Sequence, residues 1–245
     1  MIEGNLIYSL LFFLIILQTI AGVGILVVGT PLLLIFNINI VSILAILLPI
    51  SILTSFLNLI FFTINKKNLK IEIEKKTKKI FFIICLPSII LGLLILKEFQ
   101  DAINFKYLVS LVIFFSIAVI NSKKYLENIN NKIRVIFLSL IGTIHGLTNS
   151  GGALLSLFLL YFNNKNQSRY NTTFYYFFLA FFQFLMFLII FEQKIYFDNF
   201  RFILIFIPLG VIIGNYIIKY VNEKTYKNIV NILSLFTCLI LLISN

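Results

Sequence analysis

Between residues 4 and 65 the chain carries no Asp, Glu, Lys or Arg. A soluble domain has roughly a quarter of its residues charged; this chain of 245 residues has 12%. The hydrocarbon core of a bilayer takes about 20 apolar residues per helical crossing, so the uncharged stretch alone holds two crossings. Lipid offers no partner to stray backbone N–H and C=O groups, which leaves helices or a closed barrel. Barrel strands alternate apolar and polar residues over about ten positions, and "LIYSLLFFLIIL" (Leu6–Leu17) does not alternate. The sequence therefore predicts an all-α integral membrane protein. Glu3 is the only charge before Lys66, and the apolar run outlasts the core of a leader peptide. The first segment is thus expected to stay as a span and not to be a removable signal.

Charged clusters cut the rest of the chain into eight candidate spans, roughly 6–36, 40–64, 80–96, 106–121, 135–161, 172–191, 202–218 and 228–243. The first is too long for one straight crossing and contains Gly22, Gly24, Gly29 and Pro31, so a broken helix is expected there. A shift of 122 residues places Gly24 on Gly146, Gly29 on Gly151, Leu32-Leu33 on Leu154-Leu155, Gly92 on Gly214, Lys97 on Lys219 and Asp101 on Glu223. This predicts two tandem four-segment repeats, 1–121 and 134–245, joined by a lysine-containing loop at 122–133. The net charge of +11 gathers at segment ends, as membrane topology requires, and does not point to nucleic acid. With eight simple crossings, 13 Lys and Arg fall on the side of the termini and 7 on the other. The second half alone runs the opposite way, so the sequence assigns no sidedness.

Two stretches break the apolar pattern: "QTIAGVGILVVGTPLLL" (Gln18–Leu34) and "IHGLTNSGGALLSL" (Ile144–Leu157). Glycine costs a helix interior about 1 kcal/mol against alanine and proline about 3 kcal/mol. Small residues at close helix contacts are one explanation. Interrupted helices at corresponding places in two halves, with freed amides and positive helix ends turned to an anion, are the other. The candidate substrate-binding residues are Gly22, Gly24, Gly29, Thr30, Pro31, His145, Thr148, Asn149, Ser150, Gly151 and Gly152. His145 is the lone histidine, and an ionisable group within a membrane segment is a functional hypothesis by default: a proton carrier or an anion contact. The alternative is a neutral histidine bonded between helices, and the 122-residue shift sets it against Val23, so its role is not shared by both halves. All nine acidic residues fall in loops, at segment ends or at the termini, which disfavours a cation carrier. The sequence also places no Lys or Arg inside a span, leaving dipoles and neutral donors to hold an anion. Cys85 and Cys238 read as small buried hydrophobes, with no metal site or disulfide framework. Ser51, Thr54, Ser55, Asn58, Gln183 and Asn215 read as interhelical hydrogen-bonding groups. Pro87 and Pro208 read as kinks, and Lys66–Lys79 as a cytoplasmic anchor.

These residues resemble the TauE/SafE-type sulfite exporter permeases. The resemblance rests on "AGVGILVVGTPLLL" (Ala21–Leu34), "HGLTNSGGALLSLFLLY" (His145–Tyr161), and the paired endings "LGLLILKEFQD" (Leu91–Asp101) and "IGNYIIKYVNE" (Ile213–Glu223). It spans residues 10 to 244. The first copy reads Val28-Gly29-Thr30-Pro31 where the family more often has three glycines. The resemblance implies a multi-pass permease of a bacterial plasma membrane that moves sulfite, sulfonates or similar small anions, usually outward. The sequence reading is then a secondary carrier for a small anion, with the lipid bilayer as its other partner, no cofactor and no catalytic residue. The rivals are a non-transporting membrane scaffold and a membrane-embedded enzyme; the second would need a carboxylate pair, paired cysteines or a histidine cluster.

Overall fold

The computed structural model describes residues 4–22, 24–64, 73–121, 131–162, 164–192 and 201–226, with 228, 229, 232, 235 and 239 beyond them. Almost all of the expected eighth span, Cys238, Val23 and most of the 122–133 connection lie outside the described residues. Within them every element is a helix and there is no strand. In chain order they are α1 (Gly4–Ala21), α2 (Ile25–Ile35), α3 (Ile40–Ile64), α4 (Lys75–Phe99), α5 (Phe105–Asn121), α6 (Asn131–Thr148), α7 (Gly151–Phe162), α8 (Lys165–Phe191) and α9 (Arg201–Tyr220).

Among the described residues, four helices are long and apolar enough to cross a membrane: Ile40–Ile64, Lys75–Phe99, Lys165–Phe191 and Ile203–Tyr220. Shorter apolar helices, Ile7–Ala21, Ile25–Ile35 and Phe105–Phe115, pack among them. Large apolar side chains such as Ile64, Leu111, Phe114, Ile189 and Ile212 point outward. In water such a coat would aggregate; against acyl chains it costs nothing.

Three contacts among the described residues organise the interior. Helix α4 lies along α6, α1 lies along α9, and α8 lies along α3. At the first contact Gly142 and Gly146 of α6 meet the Cys85 and Ile89 carbonyls, and Gly92 of α4 meets the Thr143 carbonyl, so closely that no Cβ fits at any of the three. Gly142-Thr-Ile-His-Gly146 is the small-xxx-small spacing that lets membrane helices touch backbone to backbone. Gly146 is therefore a packing residue inside a continuous helix. Helix α4 makes room through a π turn at Phe81–Cys85, immediately before Pro87. Proline has no N–H and its ring collides with the carbonyl four residues back, here Ile83, so the widened turn absorbs the conflict.

The two apolar stretches with glycine clusters are each two helices. The first breaks at 22–24, where Gly22 takes φ 81°, and the second at 149–150, where Asn149 takes φ 62°. Ala21 and Thr148, the last helical residues before the breaks, lie 127 positions apart, so a uniform shift of 122 does not bring the breaks together. It pairs Gly24, just past the first break, with Gly146, still inside α6.

Helix α8 starts well ahead of the expected 172. Asn164 accepts from the Gln167 amide as an N-cap, so the polar run from Ser168 to Thr173 is helical, and most of it is buried. What looks like a loop by polarity is the first turns of a helix facing inward.

Candidate functional site

The chain's own constraints carry α2 and α7 to a common point. Gly22 sits in the left-handed region that glycine alone enters without strain, and Gly24 is extended, so α1 ends and α2 restarts with a glycine before it and no side-chain cap. The amide of Ile25 instead takes the Gln18 Oε1 of the preceding helix at 3.3 Å. Gln18 is itself held by α3: its Nε2 donates to the Ser51 carbonyl and the Ser55 hydroxyl at 3.1 and 2.9 Å, and Ser51 Oγ donates back to Oε1.

At the second break the Asn149 amide closes the last turn of α6 onto the His145 carbonyl at 2.8 Å. Ser150 bonds backward to Thr148 through both its amide and its hydroxyl, while its carbonyl accepts from the Ala153 amide in the first turn of α7 at 3.0 Å. Gly151 and Gly152 open α7; a Cβ at Gly151 would strike the Ile141 carbonyl, and one at Gly152 would strike the Tyr176 ring.

Tyr176 on α8 joins the two starts. Its ring lies over Gly152 in the first turn of α7, and its hydroxyl oxygen is turned to the Leu26 and Val27 amides of the first turn of α2, outside hydrogen-bonding geometry. The His145 ring centroid stands 6.2 Å from it. Asn149 Nδ2 donates to Thr30 Oγ1 at 3.0 Å, and Gln183 Nε2 donates to the His145 carbonyl at 3.0 Å. Several polar atoms here are buried and unpartnered: both ring nitrogens of His145, Asn149 Oδ1, Tyr176 OH and Gln183 Oε1. An unsatisfied buried polar atom costs about 1–3 kcal/mol, so these residues are the candidate site. His145, Thr148, Asn149 and Ser150 are all inaccessible, so the arrangement is closed. A cavity of about 390 Å³ lies elsewhere, at the α2–α3 and α4–α5 turns, lined by Asn37, Asn39, Gln100, Asp101, Asn104 and Lys106 among others.

A family model described as the sulfite exporter TauE/SafE matches residues 7–241. The chain belongs to the TauE/SafE sulfite exporter family. No curated protein and no solved structure matches it. As a TauE/SafE member it is a multi-pass membrane protein of a transporter family.

Of the residues singled out in this TauE/SafE chain, Gly22 and Gly24 form the first break, and Thr148, Asn149, Ser150, Gly151 and Gly152 surround the second. Gly29, Thr30 and Pro31 are buried inside α2; among them only Thr30 has a bond to the other break. Gln183 bonds between helices, as its place in an apolar run suggested. Three contributors escaped the sequence reading. Tyr176 was hidden in an aromatic-rich span, and Gln18 stood at the start of the glycine stretch with no role of its own. The third, Arg169, overturns the expectation that no cation lies inside. It is 4% exposed, on α8, and its Nη2 donates to the Thr19 carbonyl at 2.7 Å and to Asn215 Oδ1 at 3.0 Å. Asn215 donates in turn to Asn58 Oδ1 at 2.9 Å, and Asn58 donates to Thr19 Oγ1 at 3.1 Å.

Proposed function

We propose that the chain is a secondary carrier that exports a small oxyanion, sulfite or an organosulfonate, through a site between the starts of α2 and α7. The observation that carries this is Tyr176, a buried phenol with no partner, standing between two helix N-termini that come from separate breaks. Helix starts favour negative charge by about 0.3–1 kcal/mol each when exposed and more when partly buried. Tyr176, His145, Asn149 and Gln183 supply hydrogen bonds around the same point, and Gly152 leaves room for the Tyr176 ring. Gly22, Gly24 and Gly151 shape the breaks, Thr148 and Ser150 fix the second break, Thr30 ties it to α2, and Gly29 and Pro31 pack α2.

The two-repeat organisation is part of the same proposal. In its support, each half runs a helix, a break, a short helix and a longer apolar helix: α1, α2 and α3 in the first, α6, α7 and α8 in the second. Gly214 of α9 packs on Thr19 of α1, and Gly92 of α4 packs on Gly146 of α6. Thr19 and Gly146 stand 127 positions apart, the same spacing as the two breaks, whereas Gly92 and Gly214 keep the spacing of 122. On this alignment the counterpart of His145 is Gln18, and both sit four residues or fewer before the last helical residue.

Purified protein in liposomes loaded with sulfite tests the proposal. Wild type should release sulfite, and Tyr176→Phe should lower the rate about tenfold, the loss of one buried hydrogen bond to an anion, with little change in melting temperature. Absence of flux for sulfite, sulfonates and carboxylates alike would sink the carrier and favour a scaffold. Unchanged flux in Tyr176→Phe would remove the site from between the helix starts.

A further inference from the structure

We infer that Arg169 is a substrate-holding residue, whose unpartnered Nε–H and permanent charge take the transported oxyanion at the α1 side of the first break. The inference rests on the carrier reading above.

Arg169 caps the C-terminal carbonyls of α1 through Thr19, and Tyr226 does the same through Ala21, at 3.0 Å. A helix end carries about half an elementary charge; a guanidinium carries a whole one and does not lose it. Capping alone therefore leaves about half a positive charge in a buried place. Among the described residues the only ion pair joins Arg134 to Glu74, so no carboxylate answers Arg169. Burying a charge without a partner is strongly unfavourable, and a neutral donor would cap the carbonyl at far lower cost.

The surroundings increase the positive potential. Lys165, one turn earlier on α8, is close enough for the two charges to repel. Its ammonium is anchored on the Ile218 and Val221 carbonyls at the end of α9, and Glu223 answers part of its charge. The guanidinium itself is held fast. Asn215 grips one side and is fixed by Asn58 and by the Val211 carbonyl, while the Phe62 ring lies 5.0 Å from the guanidinium carbon. What remains free is Nε, buried and without a hydrogen-bond partner. A preorganised cation with a spare N–H suits an oxyanion, because charge-assisted bonds are roughly twice as strong as neutral ones.

Position links Arg169 to the proposed site. Gly22 presses on the Arg169 carbonyl and on Thr172, so the guanidinium's own backbone forms one wall of the first break. Tyr176 follows seven residues on, about 10 Å along the same face of α8. An anion taken at Arg169 is thus two helical turns from the helix starts.

The chain has three arginines, Arg134, Arg169 and Arg201, which makes residue-specific modification readable. Wild-type protein in liposomes is treated with phenylglyoxal, with sulfite or with sodium chloride at equal ionic strength, and each arginine is quantified by peptide mass spectrometry. Arg169 should be modified in chloride and protected about fivefold or more by sulfite, while Arg134 and Arg201 react equally in both. In parallel, Arg169→Lys should raise the sulfite KM about tenfold, the loss of one charge-assisted bond, because it keeps the charge and loses the fork. Equal modification with and without sulfite, no modification under any condition, or wild-type transport in a folded Arg169→Lys or Arg169→Gln protein overturns the inference. If wild type shows no sulfite flux yet sulfite protects Arg169, the binding residue stands and the carrier reading falls. Flux without protection has the reverse meaning.

Discussion

Asn149 holds the second break in the left-handed region and also bonds to Thr30 across the interior, two roles that single substitutions can separate. Asn149→Gly keeps the backbone and loses the bond; Asn149→Ala loses the bond and adds a strain of about 1 kcal/mol. The alanine variant should therefore melt below the glycine variant, and Thr30→Val should resemble the glycine variant, all read by thermal unfolding in detergent. At Gly152 the expected result is different. Gly152→Ala drives a Cβ into the Tyr176 ring, so flux should fall to the level of Tyr176→Phe or below. These residues were partly legible in advance. Small and hydrogen-bonding residues in an apolar run announce a break, since each costs the helix energy that packing or function must offset. Tyr176 and Arg169 were not legible, because what distinguishes them is the company they keep across elements more than 140 positions apart in the chain (Arg169 with Thr19, Tyr176 with Leu26).

Helix α4 shows how much of an element is decided by its neighbour. Its glycine contact with α6 and its π turn both serve one close approach, so Gly142→Leu should be far more damaging than any exposed substitution, with loss of folded protein on size-exclusion chromatography. At the near end of α4, Glu74 accepts from Thr77 and Arg134, each at 2.6 Å. Partial burial pushes the Glu74 carboxyl up, but the Thr77 hydroxyl and the Arg134 guanidinium outweigh it and hold it below the usual carboxylate range. A depressed carboxylate stabilises the fold above its unfolded pKa and loses that contribution as pH falls through the folded value. Glu74→Gln should thus cost about 0.5 kcal/mol near pH 7, typical of an exposed pair. The gap to wild type should close below about pH 4, as read from melting curves across pH. Helix identity was plain from hydrophobicity, but helix starts were not. Polarity put 163–169 in a loop, where Asn164 begins a helix whose polar residues face inward.

Across the whole molecule the proposed site lies between two breaks, and Asn149 at the second bonds to Thr30 of α2, the helix that follows the first. A disulfide or short cross-linker between Thr30→Cys and Asn149→Cys should arrest flux, and reduction should restore it; flux that continues in the cross-linked protein would mean the breaks need not part. The all-helical membrane class was legible from 62 consecutive uncharged positions, 4–65. The site was not, since it depends on which helices meet. The pairings themselves reach back to biosynthesis: α1 lies along α9, and α4 along α6. Neither the helices made first nor those made last can complete their packing alone, so early helices must wait in the bilayer for a partner still on the ribosome. A gene cut in the 122–130 region should then yield two fragments that are each degraded when expressed singly and that recover together, in the same cell, as one stable and active assembly.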